Sequence, residues 1–121
     1  MIAFAGGVRS KETIGAPQNV PNLTALGKRG VVCPNVAAEN VGHYGAALSI
    51  FTGRTEVFGI REQGRSDNPT VFEYLRRHVE LPANSVWLST SDGNQQLNFA
   101  YGNHPKFGAR YGANLISADG V

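Results

Sequence analysis

The sequence predicts an α/β fold with a largely parallel sheet, and three observations carry that prediction. Short apolar runs at residues 31–36 and 85–90 read as strands. Residues 68–79 read as an amphipathic helix with its own start signal, Asn68-Pro69. Counting a short apolar run at residues 2–4, the order is strand, helix, strand, helix, helix, strand. Alternation of this kind brings strands together in parallel, with helices as the crossovers.

Taken in order, Ile2, Ala3 and Phe4 look like the end of a buried strand that Gly6-Gly7 closes. Such a strand is short against the usual five or six residues, so the chain is expected to be a piece of a longer protein. Residues 8–20 read as a polar loop. In residues 21–29, Pro21 suits the first helical position and Leu23 and Leu26 face inward. Lys28 and Arg29 complement the C-terminal dipole of that helix, and Gly30 ends it. The strand at 31–36 contains Pro34, which cannot donate to a ladder and argues for an edge or a strand end.

Residues 40–54, NVGHYGAALSIFTGR, read as a loop that turns into a short helix. Ala46 and Ile50, like Ala47 and Phe51, stand four apart and give it an apolar face. Gly53 is placed to stop the helix, because glycine takes the left-handed conformation at little cost. Residues 54–68 are a charged loop, in which Arg61, Glu62 and Arg65 form a solvated face. In the next helix Asn68 caps, Pro69 leads, and Val71, Phe72, Leu75 and Val79 form the apolar stripe. Arg76, Arg77 and His78 fall in its last turn. The strand SVWLST precedes the turn Ser91-Asp92-Gly93, and the remainder shows no clear period.

Composition bounds the function. The chain has 121 residues, enough for one small domain. Hydrophobic residues at 41% and charged residues at 17% fit a globular chain rather than a disordered one. A formal charge of +2 with no long basic run gives no argument for nucleic acid. No apolar stretch approaches the roughly 20 residues needed to span a bilayer. No signal peptide stands before the first apolar residues. Cys33 is alone and reads as a small buried side chain at a strand end.

Four pieces in order, PNLTALGKRGVV, ALSIFTGR, FGIREQ and NPTVFEYLRR, resemble the N-terminal segment of the alkaline phosphatase superfamily. The likeness is to its sulfatase and phosphodiesterase branch, and it covers residues 1 to about 90. It implies a partial three-layer αβα sandwich, with residues 1–121 as the N-terminal portion of one domain. It also implies hydrolysis of a small anionic phosphate or sulfate ester, a divalent metal, and export to a compartment such as the periplasm. The family's first metal ligand, an Asp, falls here on Gly6 or Ala5, and neither side chain has an oxygen for a hard cation. The family's nucleophile position falls on His43.

Two readings of His43 stand side by side. Imidazole is a competent nucleophile towards a phosphoryl group, and a helix N-terminus favours the anion being transferred. Alternatively His43 donates to a loop carbonyl or lines a pocket. Asn40 and Gly42 join it as binding candidates, because a glycine loop before a helix exposes backbone N–H groups. Asp92 lies beyond a strand end, where open α/β sheets bind ligands, or is a plain turn residue. The three histidines have no metal-site spacing, so no metal ligand is assigned. Tyr101, Phe107 and Tyr111 read as small satellite packing, with stacking on a ligand as the alternative. The alternative to a hydrolase is a non-catalytic member of the same superfamily, kept as a binding or structural module.

Overall fold

A computed structural model describes residues 2, 9–59, 61–90 and 97–117. It divides the chain into two compact units, Met1–Ala38 and Glu39–Val121. Helices and strands are both present, with a small parallel sheet, which is compatible with an α/β class. The expected strand at 2–4 falls largely outside the described residues.

In the first unit, the segment expected to be a polar loop forms two 3₁₀ turns, Ser10–Glu12 and Pro17–Asn19. Helix α1 (Pro21–Gly27) follows, with Pro21 at its start as the sequence suggests. Leu23 and Leu26 do not face a core. Leu26 is 63% exposed, and both leucines line an open concavity of about 600 Å³ together with Ile14, Val20, Val32 and Cys33. Residues 31–36 form no strand, and Val31 is 91% exposed. A strand needs a ladder partner, no described segment of this unit offers one, and Pro34 removes a donor. Cys33 is therefore exposed rather than buried.

The second unit holds the hydrophobic core. Helix α2 (His43–Thr52) contributes Tyr44, Leu48 and Phe51. Its buried face is one step round from the expected one, leaving Ile50 57% exposed. Gly53 ends the helix at φ 67°, with its N–H donating to the Ser49 carbonyl. Strand β1 (Trp87–Thr90) pairs in parallel with β2 (Asn114–Ser117), Leu88 opposite Leu115. Leu88, Phe99 and Ala100 close the core against α2, with Phe72, Tyr101 and Leu115 at its margin.

Helix α3 (Val71–His78) departs most from expectation. Thr70, not Asn68, is its N-cap residue. Val71, Leu75 and Val79 are all exposed, and the one fully buried residue of the helix is Glu73, with 0% exposure. Its Oε2 accepts from the N–H groups of Thr70 (2.6 Å) and Gly102 (2.9 Å), and its Oε1 accepts from Gly108 (2.7 Å). A buried carboxylate is tolerated only when hydrogen bonds replace its water, and here three backbone donors do so. Gly102 comes so close to the 66–68 backbone that a Cβ would lie 2.9 Å from the Ser66 carbonyl oxygen. Glycine is what allows the loop to reach Glu73.

Candidate functional site

Asn40, Gly42 and His43 converge at the start of α2. The Asn40 side-chain oxygen accepts from the Gly42 N–H (2.9 Å), an Asx turn that leads the chain into the helix. Its amide nitrogen donates to the carbonyls of Glu56 (2.5 Å) and Phe58 (3.5 Å). Ser49, one turn before the helix end, accepts from the Glu56 N–H at 2.9 Å. The 56–58 segment is thus stitched to α2 at two levels. Gly45 is enclosed by this stitching. A Cβ there would run into the Asn40 amide and lie 2.6 Å from the Phe58 carbonyl.

Tyr44 anchors the same turn from inside. It is 3% exposed, its ring centroid lies 5.0 Å from that of Phe99, and its hydroxyl donates to the Gly64 carbonyl (3.0 Å). Burial pushes the Tyr44 phenol above its ordinary value of 10.0, while the Asn98 side chain and the Arg65 charge pull against that rise.

His43 is the first residue of α2 and exposed, and its side chain makes no hydrogen bond among the described residues. It does not donate to a loop carbonyl. Gly42 offers no side-chain cap, and the first turn holds no acidic residue. The first i→i−4 bond is made by Ala46, so the N–H groups of residues 43–45 carry the positive end of the dipole. At the start of α3 the Glu73 carboxylate occupies the corresponding position. The two helices therefore differ in whether their positive ends are already neutralised. Asp92 lies outside the described residues, so nothing places it near His43.

A second polar group lies inside the unit. Glu56 is buried, and its Oε1 accepts from the Ser66 hydroxyl (2.6 Å) and the Asn68 amide (3.1 Å). Asn68 is thus a core-facing tie rather than a helix cap. The Thr70 hydroxyl is fully buried and lacks a partner among the described residues. Arg65, expected on a solvated face, packs over the Tyr101 ring at 3.7 Å and donates to the carbonyls of Leu97 and Tyr101. The Thr70-x-x-Glu73 spacing was the signal that would have revealed the true cap, because it is a capping-box pattern.

The divalent metal that the resemblance implies does not fit these residues. Both oxygens of Glu73 are taken by backbone N–H groups, and the Glu56 Oε1 by Ser66 and Asn68. Among the described residues no three His, Cys, Asp or Glu side chains are grouped to hold a metal ion. Among the same residues no helix is long and apolar enough to cross a membrane. No protein-family model matches the chain, and no curated protein and no solved structure matches it either.

Proposed function

We propose that the chain is an alkaline-phosphatase-like α/β module whose α2 start receives the anionic group of a phosphate or sulfate ester, with His43 in the nucleophile position. The observation that carries this reading is the contrast between two helix starts. Among the described residues that of α2 is uncapped by any side chain, has no acidic residue in its first turn and is topped by an exposed imidazole, whereas that of α3 is filled by Glu73. An anion is favoured at the first and repelled at the second. The finer architecture we propose is a partial three-layer sandwich, with the parallel β1–β2 pair as part of its central sheet.

In the reaction an imidazole nitrogen of His43 bonds to phosphorus as the ester oxygen departs with its electron pair and takes up a proton. Water then releases phosphate and frees the imidazole. The test is hydrolysis of 4-nitrophenyl phosphate, bis-4-nitrophenyl phosphate and 4-nitrophenyl sulfate by the purified protein and by His43→Ala. Turnover that falls at least about a hundredfold in His43→Ala but persists in His104→Ala supports the reading. Turnover unchanged in His43→Ala removes it.

The second reading is a non-catalytic module of the same kind, and the engagement of Asn40 favours it. Its carboxamide is committed to Gly42, Glu56 and Phe58, which is the work of a structural tie. Binding of phosphate or sulfate without turnover, abolished by His43→Glu, is the outcome expected for it.

A further inference from the structure

Basic residues that are scattered in the sequence are gathered by the fold onto one aromatic surface of the second unit. The Arg77 guanidinium lies 4.5 Å from the centre of the Phe107 ring and 5.9 Å from that of Tyr111. Arg110 lies 5.4 Å from the Tyr111 ring. Tyr74 packs edge-on to Phe107 at 5.0 Å and His104 does so at 5.3 Å. Arg77 also donates to the Lys106 backbone carbonyl (2.9 Å), which sets residue 106, an exposed lysine, beside the patch.

Among the described residues none of these cations has an ion-pair partner. The one ion pair among the described residues joins Arg9 to Glu12, in the other unit. Arg77, Lys106 and Arg110 are all exposed. The rings hold the guanidinium groups in place, so less side-chain freedom is lost when an anion arrives. Guanidinium groups on ring faces also leave those faces less open for stacking bases, which single-stranded nucleic acid requires. Arginine and tyrosine are among the residue types enriched at the energetic centres of protein interfaces.

We propose that this surface, formed by Tyr74, Arg77, Lys106, Phe107, Arg110 and Tyr111, docks an acidic segment of a protein partner. Charge complementarity selects carboxylates, because each guanidinium presents a planar fork that a carboxylate meets with two bonds. The surface is independent of His43, and the proposal stands whether or not the chain hydrolyses esters.

The test is a fluorescence-anisotropy titration of the full chain with a fluorescein-labelled oligoglutamate peptide and with a single-stranded oligouridylate of matched length. The peptide is expected to bind more tightly than the oligouridylate, and to weaken as salt rises. Replacing both Arg77→Glu and Arg110→Glu is expected to weaken peptide binding about tenfold or more, while Arg54→Glu leaves it within about twofold. The Arg110 side chain makes no hydrogen bond among the described residues and meets the fold through its contact with the Tyr111 ring, so Arg110→Glu alone tests the charge at the smallest structural cost. No peptide binding, or binding untouched by Arg110→Glu, overturns the proposal. Tighter binding of the oligouridylate overturns it too and assigns the surface to nucleic acid.

Discussion

A glutamate without exposed surface carries a large desolvation cost, and Glu73 offsets it with N–H donors from Thr70, Gly102 and Gly108. Removing the carboxylate leaves three inward-facing donors, at about 1–3 kcal/mol each. Glu73→Ala is therefore expected to cost about 3 kcal/mol or more in urea unfolding. Leu75→Ala, at a half-exposed site on the same helix, is expected to cost under about 1 kcal/mol. The reverse ranking would mean that α3 docks by its leucine face. Tyr44 makes a pH prediction. Its folded-state pKa is raised, so the unfolded state gives up the phenolic proton first as pH climbs. Its contribution is complete below about pH 10 and is lost as pH rises through the higher folded value. Melting temperature should fall above about pH 10, and Tyr44→Phe should flatten that fall relative to the wild-type curve.

At the scale of elements, glycine and its substitutes decide more than hydrophobic period. Alanine normally improves a helix over glycine by about 1 kcal/mol, but Gly45→Ala should destabilise α2 by about 1–3 kcal/mol. The added methyl meets Asn40 and the Phe58 carbonyl, and a calorimetric melt would read the loss directly. Just after α3, Glu80 sits at φ 55°, in the left-handed region that favours glycine. Glu80→Gly is expected to raise stability by about 1 kcal/mol in the same melt. What sequence reading captured follows from this. The stop at Gly53, the helix at 43–52 and the strand at 87–90 are local events with local signals. The cap of α3 was also local, in Thr70-x-x-Glu73, but the Asn68-Pro69 pair competes with it by the same chemistry. The buried face of α3 was not local at all, because the donors that make Glu73 welcome come from residues 102 and 108.

Across the whole molecule, order and packing are unevenly shared. Tyr44, Leu48, Phe51, Leu88, Phe99 and Ala100 form one cluster in the Glu39–Val121 unit. In the other unit, Ala16 is the one buried hydrophobic residue among those described. Hydrogen–deuterium exchange should show slow amides in α2 and β1 and immediate exchange across residues 31–36, where no ladder protects them. Protection at 31–36 would mean that this run is paired after all. A strand at that position looked plausible from its valines, yet a strand is a relation between two segments, and one segment cannot display it. The same holds for His43. Its place at a helix start is readable from residues 40–54, while the lack of a neutralising side chain among the described residues shows only in the folded contacts.

The carboxylate of Glu73 also sets an order of events during translation. Helix α3 emerges from the ribosome before residues 102 and 108 do, and until they follow its inward-facing carboxylate has only the Thr70 amide for company. A nascent chain whose residues 102 and 108 are still within the ribosome would have to bury a carboxylate that two of its three donors have not yet joined. It should therefore keep α3 undocked in water, and the second unit should close only as the 102–108 loop emerges.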